Sequence, residues 1–343
     1  MAEPRDAVAD LRRITFLLEA ANEPSYRVAA FRGASRTLER LAPGELDELV
    51  HRGGLRELPG IGEVLERTIA ESLRGEEPVY LRRLEATGGR MVAEIGAELC
   101  SALRGDCHVH SDWSDGGASI REMAEAAREL GREYMVLSDH SPGLTIANGL
   151  APERLQRQLA DVAELNVELA PFRILSGIEV DILPDGSLDQ SDELLSRLDL
   201  VVGSVHSELR MAEAPMTRRL VTALADPHLD VLGHCTGRMV TGRRRRPPST
   251  FDAEIVFAAA LRFDKAIEIN SRPERLDPPK RLLRLAVEAG CRFSIDSDAH
   301  YPGQLAWLPN GCDRAAACGV HTSSVVNTLG ADELLGWARS HDD

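Results

Sequence analysis

Cys107-His108-Val109-His110, followed by Ser111-Asp112-Trp113-Ser114-Asp115-Gly116, is the stretch on which the reading of this chain turns. On an extended strand, residues two apart share a face, so His108 and His110 point the same way and Cys107 faces the opposite side, as core. Two imidazoles on one face suit one metal ion. The pattern then repeats down the chain. His140 ends Tyr134-Met135-Val136-Leu137-Ser138-Asp139, and Glu179 lies in Gly177-Ile178-Glu179-Val180-Asp181. His206 ends Leu200-Val201-Val202-Gly203-Ser204-Val205, His234 ends Val231-Leu232-Gly233, and Asp298-Ala299-His300 closes the last clear strand. With Asp115, six histidines and three carboxylates recur at the same end of successive strands. Charged groups gather in one cavity only when cations compensate them. Mixed histidine and carboxylate ligation suits Zn, Mn or Fe.

The strands that carry these residues define the fold. Short apolar runs near 106–110, 134–139, 172–181, 199–205, 230–234, 266–270 and 293–296 alternate with helical stretches such as 119–130, 190–197, 251–262 and 278–289. Repeated β-then-α units imply parallel strands with helices outside. Seven strands predict an α/β fold, a distorted (β/α)7 version of the TIM barrel, with its site at the C-terminal ends of the strands.

At 343 residues the chain has room for one large domain and a small one. A hydrophobic fraction of 43% is that of an ordinary globular core. No apolar run approaches the roughly 18 residues of a bilayer span, and Met1-Ala2-Glu3-Pro4-Arg5-Asp6 lacks a secretory pattern. A cytoplasmic monomer without a membrane partner is expected. The six cysteines show no paired spacing and read as free thiols, with Cys235 given a structural role beside His234. The net charge of −15 opposes nucleic-acid binding, but bound divalent cations would cancel part of it, and the basic residues cluster at Arg243-Arg244-Arg245-Arg246. These arginines could steer a polyanion or form a solvated loop.

Residues 1–88 read as short helices. Leu11, Ile14, Leu17 and Leu18 carry a helical period, and a second helix runs from Tyr26 to Leu41 with Arg32, Arg36 and Arg40 on one stripe. That stripe is either a solvated face or a cationic contact. Leu58-Pro59-Gly60-Ile61-Gly62 then turns into another helix, exposing backbone N–H groups where a phosphate can sit. This turn resembles a helix-hairpin-helix element, which grips DNA backbone without reading sequence. Tyr26-Arg27-Val28-Ala29-Ala30-Phe31-Arg32 resembles the start of the N-terminal domain of family X DNA polymerases. Residues 1–88 are therefore expected to be a small all-α helix-hairpin-helix domain that binds DNA through Gly60, Ile61, Gly62, Arg32 and Arg36, with Arg243 and Arg244 of the barrel domain as further DNA contacts. Residues 89–104 are expected to be a helical connector, and 105–343 the barrel domain.

The nine-residue constellation resembles the polymerase and histidinol phosphatase (PHP) family of metal-dependent phosphoesterases, whose nine ligand positions all find a match. The likeness extends through Ser138–Leu144, Gly177–Gly186 and Gly233–Arg238, and these segments are most similar to the C-terminal PHP domain of bacterial family X polymerases. The resemblance implies three divalent ions, Mn2+, Zn2+ or Fe2+. One would take His108, His110, Glu179 and Asp298. A second would share Glu179 with His206 and His234, and a third would take Asp115, His140 and His300. A water activated by the ions would attack phosphorus. Arg238 and Arg272 are candidate phosphate contacts.

The resemblance is incomplete in two respects. Only the connector occupies the place of the polymerase palm, so polymerase activity is expected to be absent. No lysine precedes Lys265, and Val64 and Thr68 stand where lyase lysines would fall, so a Schiff-base lyase is not expected. The expected function is a DNA phosphoesterase (3′-5′ exonuclease, 3′-phosphatase or abasic-site endonuclease, in DNA repair). The alternative is a small-molecule phosphomonoesterase such as a histidinol phosphatase.

Overall fold

The computed structural model describes residues 5–87, 92–242 and 245–341. The chain divides into two compact units, Met1–Met91 and Val92–Asp343. Residue 88, residues 89–91 of the expected connector, and Arg243 and Arg244 lie outside the described residues.

The first unit is helical among its described residues, with helices Ala7–Ala20, Ser25–Glu39, Glu45–His51, Glu63–Leu73 and Val79–Thr87. Asp6 caps the first by accepting from the Val8 and Ala9 N–H groups at 2.9 and 3.1 Å. Leu11, Ile14, Leu18 and Ile69 are fully buried and form its core with Phe31 and Leu65. Each such side chain removed from water contributes about 2 kcal/mol. The core also contains Asp10, which accepts from Arg5 Nη2 at 2.7 Å and from Ser72 Oγ at 2.8 Å. In the Pro-Gly-Ile-Gly turn Ile61 is buried in this core, while Gly60 and Gly62 are exposed. Gly60 has φ +78°, which suits glycine.

The second unit is the expected barrel. Seven parallel strands follow chain order: β1 Gly105–Val109, β2 Tyr134–Leu137, β3 Arg173–Asp181, β4 Leu200–Ser204, β5 Val231–Leu232, β6 Ala266–Asn270 and β7 Arg292–Asp296. Helices separate most of them. Ser119 and Glu122 form a reciprocal capping box at the start of Ile120–Glu129, and Asp252 caps Ala253–Arg262. The stretch at 190–197 keeps only the short helix Asp192–Leu195. Pro152–Leu169, Glu213–Leu224, Leu308–Ala317 and Ala331–Arg339 are further helices that the strand-led reading did not single out. The described part of the expected connector folds with this unit, as helix Ala97–Ala102 packed against Leu308–Ala317.

The barrel closes without a full β1–β7 ladder. At the ligand end, Val109 bridges Ala299 and the His110 N–H donates to the Ala299 carbonyl at 2.8 Å. At the other end a buried side chain replaces a strand. Asn327 Nδ2 donates to the carbonyls of Gly105 and Ile295 at 3.1 and 2.7 Å, and its Oδ1 accepts from the Ile295 N–H at 3.1 Å. Asp106 completes the seam by accepting from the Ser297 N–H and hydroxyl.

Candidate metal centre

Glu179 sits in β3 with its N–H held by the Ser138 and Asp139 carbonyls, both at 3.1 Å. Its side chain is 1% exposed. Oε2 lies 2.9 Å from His140 Nδ1, 3.3 Å from His108 Nε2 and 3.6 Å from His110 Nε2. Oε1 lies 2.8 Å from His234 Nε2 and 3.4 Å from His206 Nε2. One carboxylate therefore meets five imidazoles from four strand ends. Asp115 Oδ1 is 3.3 Å from His300 Nε2 and 3.5 Å from His140 Nε2. Asp298 Oδ1 is 3.6 Å from both His110 Nε2 and His300 Nδ1. Asp298 reaches this position from a left-handed backbone at φ +53°, a conformation that costs about 1 kcal/mol outside glycine and recurs at functional sites.

The structure thus brings together all nine residues singled out as ligands. Within them, one ligand atom each from His110, Asp115, His140 and His300 lies within 4.8 Å of the others, and the same holds for His108, His110 and Glu179 and for His140, Glu179 and His206. Whether this donor set suits cations can be tested on its unsatisfied atoms. His108 Nε2, both ring nitrogens of His110 and of His234, His140 Nδ1, His206 Nε2 and Glu179 Oε1 are buried without a hydrogen-bond partner. Most buried polar atoms in proteins have partners, so the gathering of these orphans around one carboxylate fits divalent ions. The titration behaviour agrees. Burial would raise the Glu179 carboxyl, but the imidazoles of His108, His140 and His206 hold it well below the usual range. Burial opposes charge on His108, yet Glu179 and Glu268 push it well above the ordinary imidazole value. His110, on the same face, is driven well below by burial and by His300, His140 and His108. Without cations, the site can balance its carboxylates only by leaving some imidazoles protonated.

A second set of residues orients the first. Glu268 Oε1 lies 2.7 Å from His108 Nδ1, and Asp181 Oδ1 contacts His206 Nδ1. Asp139 accepts from Ser111 Oγ and Ser114 Oγ, both at 2.5 Å, and from Gln158 Nε2 at 2.6 Å, fixing the loop that carries Asp115. Such partners set which imidazole nitrogen faces the metal. Glu268 was not anticipated. Its signal was present in Ala266-Ile267-Glu268-Ile269-Asn270, where two polar residues alternate within a fully buried strand.

The arginines separate. Arg272 Nη1 reaches Asp298 Oδ1 at 3.5 Å and His300 Nδ1 at 3.4 Å, at the site. Arg275, which sequence reading passed over, puts Nε 2.9 Å from Asp298 Oδ2. Arg238 lies differently: its Nε and Nη2 donate to the carbonyls of Arg275 and Leu276, clamping that loop. In the helical unit Arg32 pairs with the buried Glu19 at 2.6 Å, which gives it a structural role, whereas Arg36 is exposed. Cys107 is buried in an apolar cluster with Tyr134 and Val136, and the Cys235 thiol contacts Asp277 Oδ1 at 3.8 Å.

The sequence profile of the PHP domain matches residues 106–272. The "DNA polymerase/3'-5' exonuclease PolX" of Bacillus subtilis is 39% identical over 240 residues, 70% of this chain and 42% of that protein. This chain therefore spans less than half the length of that relative. A "probable phosphatase" of Acetivibrio thermocellus is 30% identical over 205 residues, 57% of this chain and 78% of that protein. Among solved structures, a histidinol phosphate phosphatase of Lactococcus lactis, complexed with zinc, L-histidinol and phosphate, is 19% identical with a TM-score of 0.46, covering 64% of this chain and 95% of that one. The matched span holds most of the converging ligands, and the phosphatase relative is covered over most of its length, so the chain belongs to the PHP domain family.

Proposed function

We propose that this protein hydrolyses phosphate esters of DNA with a trinuclear divalent-metal centre. The observation that carries the reading is the convergence of five imidazoles on Glu179, with their facing atoms unsatisfied. His108, His110, Glu179 and Asp298 would hold one ion; Glu179, His206 and His234 a second; Asp115, His140 and His300 a third. Such ions supply a water acidic enough to attack phosphorus at neutral pH and positive charge for the phosphoryl oxygens. The chain's own residues do the rest. Glu268 and Asp181 hold His108 and His206 in position. Arg272, beside Asp298 and His300, would bind a phosphoryl oxygen. No side-chain nucleophile is required.

The DNA substrate rests on the helical unit and on the likeness to the Bacillus subtilis protein. Gly60 and Gly62 are exposed, and a Cβ added at either would meet nothing within 4 Å, leaving the backbone before helix Glu63–Leu73 open to a phosphate. Glu63 and Glu66 in the first turn oppose an anion; Arg56, 2.5 Å from Glu66, offsets part of that charge. Arg36 and the arginines at 243–246 are the remaining candidate contacts.

The test is a substrate panel with Mn2+: recessed, nicked, abasic and 3′-phosphorylated DNA beside small phosphomonoesters, with wild type and His108→Ala. Cleavage or dephosphorylation of DNA by wild type, lost in the variant, is expected. Turnover of small monoesters alone would transfer the activity to the small-molecule class, and activity retained by His108→Ala would overturn the ligand assignment.

A further inference from the structure

We propose that Cys100 and Cys312 form a hydroperoxide-oxidisable dithiol that closes to a disulfide, a modification site apart from the metal centre. Helix Ala97–Ala102 packs closely on helix Leu308–Ala317. A Cβ at Gly96 would lie 2.3 Å from the Cys312 backbone, so only glycine permits the approach. The Ile95 and Gly96 N–H groups both donate to Asp313 Oδ1, at 3.0 and 2.8 Å, and the Cys100 N–H donates to the Gly96 carbonyl at 2.8 Å. Cys100 lies one helical turn beyond Gly96, and a helical side chain leans back over the preceding turn, so these contacts turn Cys100 towards Cys312.

The surroundings differ for the two sulfurs. Cys312 is fully buried, and Cys100 is partly exposed. Arg132 is anchored by Nη1 on the Leu103 carbonyl at 2.5 Å, its Nε is buried without a hydrogen-bond partner, and its positive charge acts on Cys100. The hydrogen bond from Cys312, helped by the Arg132 charge and against the cost of burial, lowers the Cys100 thiol to about 6. The same hydrogen bond, together with burial, raises Cys312, which keeps its proton. Elsewhere burial pushes the Cys107 and Cys235 thiols well up and Cys291 to about 11. A partly exposed thiolate beside a second, protonated thiol is the arrangement in which oxidation proceeds to a disulfide.

The chemistry balances. The Cys100 thiolate attacks the outer oxygen of a hydroperoxide; an S–O bond forms, the O–O bond breaks, and the departing alkoxide takes a proton to leave as an alcohol. The Cys312 sulfur then attacks the Cys100 sulfenic acid; the S–S bond forms, and hydroxide leaves with the Cys312 proton as water. Two thiols give up two electrons, and the hydroperoxide accepts them. Cys100 lies just before β1 and Cys312 in the helix after β7, so the disulfide would tie together the chain on both sides of the barrel seam.

The test uses the full chain treated with hydrogen peroxide, then alkylated under denaturing conditions and mapped by mass spectrometry. The six thiols are expected to fall by two, with one linked peptide containing Cys100 and Cys312, restored by dithiothreitol. In Cys312→Ser, Cys100 is expected to accumulate as a sulfenic acid trapped by dimedone; in Cys100→Ser, no thiol is lost. Six thiols retained in the treated wild type, a link between other cysteines, or Cys100 oxidised to sulfinic acid while Cys312 stays free would overturn the proposal. The wild-type peptide map decides this whether or not the variants fold.

Discussion

Glu268 Oε1 lies 2.7 Å from His108 Nδ1, and its other oxygen accepts from the His234 N–H. One carboxylate on β6, a strand that offers no ligand of its own, therefore orients histidines from β1 and from the end of β5. Glu268→Gln keeps the volume and removes the charge. It is expected to lower metal affinity and activity by about 10- to 100-fold, as loss of such outer partners does. Metal content by elemental analysis after dialysis, beside phosphoesterase rates, checks it; unchanged values for both would deny Glu268 a positioning role.

Asn327 stands in for the missing backbone ladder between β1 and β7. Asn327→Ala leaves the Gly105 and Ile295 carbonyls and the Ile295 N–H unpaired in a buried seam. Each unsatisfied group costs about 1–3 kcal/mol, so the barrel should unfold several degrees lower. A thermal melt that does not shift would mean that water or backbone movement repairs the seam.

Arg272 reaches Asp298 and His300 from outside the set of ligands. If it binds a phosphoryl oxygen, Arg272→Ala should lose about 1.5–3 kcal/mol of charged hydrogen bonding, or roughly 10- to 100-fold in kcat/KM, with metal content unchanged. Loss of metal in parallel with rate would instead make Arg272 a support for Asp298.

The free protein holds His206 protonated at neutral pH. Burial opposes the charge, but Glu179 and the hydrogen bond to Asp181 raise the ring to about 9. A metal must displace that proton, so binding should release protons and tighten as pH rises. The sign follows from a raised pKa: the competing proton is held below about 9 and lost above it. Metal affinity should gain up to about tenfold per pH unit from neutrality towards that value. Isothermal titration in buffers of different ionisation enthalpy measures the released protons; none released at pH 7 would contradict the protonated state.

The barrel and the residues gathered at its mouth were legible because their signals are local. Alternation puts His108 and His110 on one face, and β-then-α order makes the strands parallel, so residues at strand ends share one mouth. The glycine turn at Gly60–Gly62 and the apolar period of the first helix were legible for the same reason. What the sequence could not supply was pairing across the chain. Nothing near Glu268 names His108 as its partner, and nothing near Asn327 names the seam it fills, since each contact joins residues far apart in sequence. Arg238 and Arg275 lie near strand ends with similar local context, yet packing turns one onto backbone carbonyls and the other onto Asp298. Local chemistry thus determined which residues could bind metal. Only the tertiary structure decided which buried groups hold them in place, because a hydrogen bond across the barrel depends on three-dimensional closure and leaves no period in the sequence.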